Sequence, residues 1–263
     1  MSLIDKIITQ YGIQKLDLLS RYPRIPSYHK KTAKGLLTEV VSVELLETEK
    51  YYVTELISGS HVRVIISGND YIIGDRISLL YAKGDRLGYS NRLITNPVME
   101  SLRGLHLNSE SIFVLNFIVY GAPGLEGSER YSEDGSIGFR LHDVEEMRLS
   151  NFEFPLDELM ALSWDDRDGF LGVTDLKKFA KDNKFVLVPA LRTLGGKAFP
   201  IDRISGLKFL QKFPMTKVGL NTKGSPKGIV VRSEERDSAF KMIVDDYIIT
   251  GKKEKWSNKI MYG

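Results

Sequence analysis

Four histidines are present, His29, His61, His106 and His142, and there is no cysteine. None of the histidines shares the short spacing that zinc sites use, and no thiolate is available as ligand, nucleophile or disulfide partner. His142 precedes Asp143, as in a catalytic dyad, but no serine or cysteine nucleophile accompanies them. That histidine therefore reads as structural or as a contact to a bound base. The signatures GxxxxGKS/T, GxGxxG after a strand, HExxH and GxSxG are all absent. What remains is cationic. Arg21, Arg24, Lys30, Lys31 and Lys34 crowd a segment that Pro23 and Pro26 keep irregular. This segment is either a solvated leader or a contact for a polyanion. Lys252, Lys253, Lys255 and Lys259 give the tail a basic character that reads as solvated, and the acidic runs Glu145-Glu146 and Asp165-Asp166 read as exposed and without function.

The elements that must position such residues are those of one α+β domain. The chain has 263 residues, 42% of them hydrophobic, with 12 Phe, 12 Tyr and 2 Trp. That is enough for a real core and excludes a mainly disordered chain. Lys and Arg exceed Asp and Glu by 37 − 34 = 3, which excludes a histone-like polycation but not a local basic groove. No uninterrupted apolar run or small-residue cleavage site opens the chain, so no signal peptide is expected. The longest apolar stretch, from Ile112 to Ala122, is broken by Asn116 and too short to cross a bilayer. With no cysteine as well, a soluble cytoplasmic protein without a membrane partner is expected.

Residues 1–20 carry apolar positions at helical spacing and predict one short amphipathic helix. From Leu36 the pattern turns to strands: LLTEVVSVELL, KYYVTELI, HVRVIISG and DYIIGDRISLLY, with Ser67-Gly68-Asn69-Asp70 as a hairpin turn. Further strands are expected at Ile112 to Tyr120, Ser136 to Val144, Phe185 to Pro189, 228–233 and 239–248. Helices are expected at Pro155 to Leu162, at Val173 to Asp182 with Thr174-Asp175 as its start, and at Ile201 to Lys212. The organisation read from this is a basic leader (1–35), a single domain (36–250) and a basic tail (251–263). Mostly antiparallel sheets flanked by helices are expected.

An ordered series of strand-associated patterns runs along the chain: TELISGSHVRV (54–64), YIIGDRISLLYAKGD (71–85), FIVYGAPG (117–124), GFRLHDV (138–144), KFVLVPAL (184–191), PKGIVVRS (226–233) and AFKMIVDDY (239–247). In that order and spacing they resemble the ATP-dependent RNA ligases of the covalent nucleotidyltransferase superfamily, from the PRIPSYHK segment to about Tyr247. The resemblance implies an RNA ligase-type nucleotidyltransferase core, ATP-grasp-like in class. It also implies chemistry in which a lysine of a Glu-Lys-x-Asp/His-Gly motif takes AMP from ATP and passes it to an RNA 5′-phosphate. A lysine does this only when deprotonated by its surroundings, with metal and basic groups holding the phosphoryl charge.

Three central residues of that pattern are replaced. Leu56 stands at the nucleophile position in Glu55-Leu56-Ile57-Ser58-Gly59, Ala122 at the glutamate of Tyr-Gly-Glu, and Lys227 at the glutamate of Glu-Gly-Ile-Val-Val-Arg. Lys50 lies six residues before Leu56, and Glu126 four after Ala122; neither keeps the flanking glycine pattern. Leucine has no lone pair and cannot form a phosphoramide. The resemblance retains Glu55, Gly59, His61, Arg76, Phe139, His142 and Lys241, with Arg232 and Tyr247 around them. With Lys227, these form the expected nucleotide- and phosphate-binding set, with Phe139 or His142 as the base-stacking face. The replacements shift the site by −1 + 1 + 2 = +2 charges relative to the family pattern.

The expectation is an RNA ligase-like protein that does not adenylate itself. It would bind a nucleotide, a phosphate or an RNA end, with ATP or AMP as possible ligand, no fixed cofactor and no support for Mg²⁺. Two other readings stay open: an active family member with unusual chemistry, through an unusual nucleophile or by sealing pre-adenylated ends, and an interaction protein with a vestigial pocket.

Overall fold

The computed structural model describes residues 1–80, 97–161 and 169–251. A two-stranded ribbon, β1 (His29–Lys31) and β2 (Leu37–Val41), precedes two larger sheets whose strand pairings are all antiparallel. The remaining strands are β3 (Lys50–Leu56), β4 (Ser60–Ser67), β5 (Asp70–Gly74), β6 (Leu79–Leu80), β7 (Ile112–Tyr120), β8 (Gly138–Met147), β9 (Ala190–Gly195), β10 (Gly228–Ser233) and β11 (Ala239–Ile243). One sheet has the order β11-β10-β3-β9 and the other β6-β5-β4-β7-β8. This is the expected α+β architecture.

The chain crosses from one sheet to the other between β3 and β4, through Ile57, Ser58 and Gly59. A Cβ on Gly59 would lie 2.2 Å from the Val119 carbonyl oxygen, so only glycine fits that crossing. The β4–β5 hairpin forms as expected, with Ser67 opposite Asp70 and Gly68 at φ +61°. That left-handed residue matches the loop twist to the strands.

β4 explains the layering. Val62, Val64 and Ile66 bury against one cluster that includes Leu176 and Ala180 of the helix Val173–Asp182. Ile65, on the opposite face, joins Ile4, Ile7, Leu16 and Leu19 from the N-terminal helices. A sheet covered on both faces needs apolar residues at both parities, which is why simple alternation fails here. The exception is Arg63, fully buried on the second face. Its guanidinium donates to the Asp17 carbonyl at 2.7 Å and the Ser20 hydroxyl at 2.8 Å, and pairs with the Asp17 carboxylate. A buried charge is tolerated only when paired and hydrogen-bonded in this way.

The N-terminus departs from expectation in two respects. The single helix is two, α1 (Leu3–Tyr11) and α2 (Ile13–Leu19), divided by Gly12 at φ +86°. A Ser2–Asp5 capping box starts α1. Residues 1–35, set apart in sequence as a basic leader, supply two helices and a strand to the folded core.

Of the later helices, α3 spans Leu156–Ala161, α4 Val173–Asp182 and α5 Arg203–Leu210. Thr174-Asp175 does not cap α4. The carbonyl and carboxylate of Glu234, from the β10–β11 connection, accept from the Val173 and Thr174 amides at 2.8 and 2.7 Å. Phe185 to Pro189 forms a single parallel bridge, Leu187 with Leu141, rather than a strand, and Val186 is exposed. The 239–248 segment is a strand only to Ile243; residues 244–251 are helical. Glu145, read as exposed, is buried on β8. The tail lysines, Asp165-Asp166 and positions 81–85 lie outside the described residues.

The end of α4 stores strain. The Phe185 amide bonds the Ala180 carbonyl at 2.8 Å and the Lys184 amide the Lys181 carbonyl at 3.3 Å, the two bonds of a Schellman motif. The residue this motif places in the left-handed region is Lys184, at φ +60°, where glycine is the preferred occupant. Lys184→Gly should therefore stabilise the fold by about 1 kcal/mol. Urea unfolding measures this; an unchanged or lowered stability contradicts the strain.

Candidate functional site

A cleft of about 220 Å³ opens where the two sheets meet. The end of β3 gives it Glu55 and Leu56, the crossing gives Gly59, and β4 gives His61. His142 comes from β8, Arg232 from β10, Lys241 from β11 and Arg76 from the turn after β5. The sequence-predicted residues Glu55, Leu56, Gly59, His61, Arg76, His142 and Lys241 are thus brought together.

Three predicted positions are not among the lining residues. Phe139 packs edge-on against Phe117 at 6.0 Å within the sheet core and borders a different cavity, so it does not face a base in this cleft. Lys227 is drawn instead to Glu126, with 2.9 Å between the charges. Ala122 is buried in the turn after β7. The sequence also missed lining residues. Tyr22, Pro23 and Ile25, from the irregular basic segment, close one side of the cleft, and Thr54, Ile118, Val188 and Val230 supply much of its apolar wall.

Asp143 anchors the back wall. The β7–β8 register shifts between Asn116 and Phe117, so that Asn116 pairs with Asp143 and Phe117 with Leu141. His142 is the extra residue of this bulge, a device that re-aims side chains. Fully buried, Asp143 accepts from Arg236 Nε at 2.6 Å and from the Tyr22 hydroxyl at 2.9 Å, and pairs with Arg232 at 3.2 Å. Arg236 also donates to the Tyr22 hydroxyl at 2.9 Å and stacks on Phe170 at 3.5 Å. Burial would push the Asp143 carboxyl up, but the two guanidiniums outweigh it and hold its pKa below the usual range. Burial also pushes the Tyr22 hydroxyl up to about 12, against the pull of Arg236. Two guanidiniums share one carboxylate, so this cluster presents one positive charge more than Asp143 neutralises.

The two histidines are held neutral. Burial, then the charge of Arg63, lowers His61 to about 3; burial, then His61 itself, lowers His142 well below its ordinary value. Asn116 donates to the Val114 carbonyl at 3.3 Å, leaving its amide oxygen to accept from His61 Nε2 at 3.1 Å. That bond fixes the proton on Nε2, so Nδ1, buried and unpartnered, carries a lone pair. His142 Nε2 is likewise without a partner, and Tyr22 packs edge-on to His142 at 4.5 Å.

The lining is also cationic. Burial, followed by the nearby charges of Arg76, Arg24 and Lys31, lowers the pKa of Lys241, with Asp246 partly offsetting them. Lys31 spends its charge on Asp246 at 2.6 Å. Of the described residues lining the cleft, Glu55 is the one carboxylate, and its oxygens already accept from the Thr216 hydroxyl at 2.5 Å and the Lys217 amide at 2.7 Å. Among the described residues no three His, Asp or Glu side chains converge. This donor set offers no all-protein cage for a divalent ion.

No family model matches the sequence, and no curated protein matches it. Solved structures do match. A variant of a Naegleria gruberi RNA ligase with ATP and Mn aligns with TM-score 0.52 at 14% identity, over 88% of this chain and 62% of that one. An apo variant of that ligase gives TM-score 0.51 at 15% identity, over 88% and 64%. The form with pyrophosphate gives 0.50 at 16%, over 88% and 64%. The chain thus spans less than two thirds of the length of these structures. At such identities the likeness is one of fold, and the fold is that of the RNA ligase nucleotidyltransferases.

Two expectations follow from the buried charges. The unfolded chain protonates His61 near pH 6.5, whereas the folded chain does not until about pH 3. Stability is therefore full above pH 6.5 and lost as pH falls toward 3, by about 2 kcal/mol for His61 at pH 5. His61→Asn should remove that share of the difference between denaturation curves at pH 7 and pH 5. Asp143→Ala, which strands two buried guanidiniums, should cost about 3–5 kcal/mol in urea unfolding.

Proposed function

We propose that the chain is an RNA ligase-like binding protein that holds a phosphate-bearing nucleotide, or the phosphorylated end of an RNA, without taking AMP onto itself. What supports this is the lining of the cleft: Leu56, which the sequence resemblance puts at the nucleophile position, lies in the wall together with the cations Arg76 and Lys241. A leucine side chain cannot attack phosphorus, while lysine and arginine attract and hydrogen-bond phosphate oxygens.

The cleft supplies the parts of a nucleotide site. Apolar side chains from Ile57, Ile118, Val188 and Val230 offer a surface for a base. His61 Nδ1 can accept a hydrogen bond from a hydroxyl or amino group. Arg76 and Lys241 take the phosphates, and the excess charge around Asp143 adds to the attraction. Glu55, the one carboxylate among the described lining residues, already accepts a hydrogen bond on each oxygen, which favours binding that does not depend on a divalent ion. Lys227 plays no part in phosphate contact in this account, because Glu126 holds it.

Two measurements test the reading. Incubation with α-labelled ATP and Mg²⁺ or Mn²⁺ should yield no acid-labile AMP–protein adduct, and Leu56→Lys alone should not restore ligation. An adduct on any lysine of the native chain overturns the claim. In EDTA, ATP or AMP at ten times its Kd should raise stability by about 1.4 kcal/mol, seen as a few degrees in Tm. Lys241→Ala should weaken that binding about tenfold, the scale of one charge-assisted hydrogen bond. No heat with ATP, AMP or a 5′-phosphorylated oligonucleotide at near-millimolar concentration ends the proposal.

A further inference from the structure

The outer edges of the two large sheets are treated unequally. The edge of β11 is covered by the N-terminal segment: the Lys241 amide donates to the Pro26 carbonyl, and the Tyr28 amide to the Lys241 carbonyl, both at 2.9 Å. The edge of β8 is covered twice. The Leu141 amide donates to the Val186 carbonyl at 3.0 Å, and the Glu146 amide to the Gly169 carbonyl at 2.8 Å. At the far edge of the four-stranded sheet lies β9, and it is bare. Among the described residues its backbone bonds only to β3, and Ala190, Arg192, Thr193 and Gly195 are exposed.

A bare edge is a template for another strand, and proteins usually blunt it with lysine, proline or a bulge. The register shift between Val53 and Thr54 guards the Ala190 end of β9. Residues 192–195 keep a regular register over about 13 Å and contain neither lysine nor proline.

The charges beside this edge are unbalanced. Glu47 is engaged by Lys197 at 2.6 Å, and Glu49 accepts from the Tyr51 hydroxyl at 2.8 Å. Arg192 and Lys50, both exposed, have no acidic partner among the described residues. Lys50 stands in register with Gly195, which has no side chain. Nothing on β9 therefore separates its ammonium from an added strand, whose backbone would lie about 10 Å from β3. Leu191 and Leu194 are only partly buried against the core, so they leave apolar surface for the same strand to cover. A second copy of the chain would bring Arg192 and Lys50 up against their own images, whereas carboxylates would neutralise them.

We propose that β9 docks an extended segment of a partner protein, acidic and apolar in alternation, which pairs as a fifth strand of this sheet. The docking edge is independent of any ligand in the cleft.

Fluorescence anisotropy of the full chain with a labelled peptide of about ten residues, alternating valine and glutamate, tests this. Binding should slow deuterium exchange of amides within Ala190–Gly195. A valine–lysine peptide of equal length should not bind, nor should a proline–glutamate peptide, which has the charge but lacks half the strand donors. Arg192→Glu with Lys50→Glu should weaken the valine–glutamate peptide about tenfold, with the Tm unchanged. Absence of binding by that peptide at near-millimolar concentration overturns the proposal, as does equal affinity in the double variant. Equal binding of the proline–glutamate peptide overturns strand pairing in favour of charge alone. Dimers in sedimentation of the native chain, with β9 amides protected as they form, assign the edge to a second copy instead.

Discussion

The buried carboxylate of Asp143 joins the parts of the molecule that would otherwise be separate. It sits on a strand of the five-stranded sheet and binds Arg232 from the four-stranded sheet, Arg236 from a connection and Tyr22 from the N-terminal segment. Three stretches of chain, distant in sequence, around Tyr22, Asp143 and Arg232 to Arg236, meet at one group of atoms. Two cationic side chains cannot be buried beside a cleft unless something neutralises them, and nothing uncharged could replace Asp143 there. The cleft exists in its observed shape because this charge cluster fixes the distance between its walls.

The lining of the cleft is of two kinds. Burial keeps both imidazoles uncharged, with the charge of Arg63 adding to it at His61, so that they offer lone pairs and edges rather than charge. Fixed cations gather around Lys241 with few acids among them. Leu56 brings no charge to this lining, and its cations come from other segments of the chain.

Much of this was legible in the sequence. The strands at 112–120 and 228–233 and the helix at 173–182 are where apolar pattern and turn residues place them, because local periodicity is enough to define them. Glu55, Gly59, His61, Arg76, His142 and Lys241 converge because their strand registers align, and the spaced patterns carried that register. Other features left no local trace. Asp143 looked like half of a dyad because its true partners, Tyr22 and Arg236, are 121 and 93 residues away. Phe139 was misassigned to the cleft: one step along a strand reverses the face, and the bulge at His142 resets the count. Lys227 was misread for want of the salt bridge with Glu126, which only folding brings near.

The capping of α4 by Glu234 has a mechanical meaning. The helix lies against the five-stranded sheet, whereas Glu234 belongs to the turn between two strands of the other. Gly172, immediately before the helix, leaves only 3.0 Å between an added Cβ and the Glu234 oxygen, so the fit is close. The sheets therefore cannot hinge apart like the covers of a book without uncapping a helix. The first amides of α4, on the outside of the molecule, are bonded only while the gap between the sheets is narrow. Their rate of exchange with solvent deuterium would be a gauge of the cleft's width.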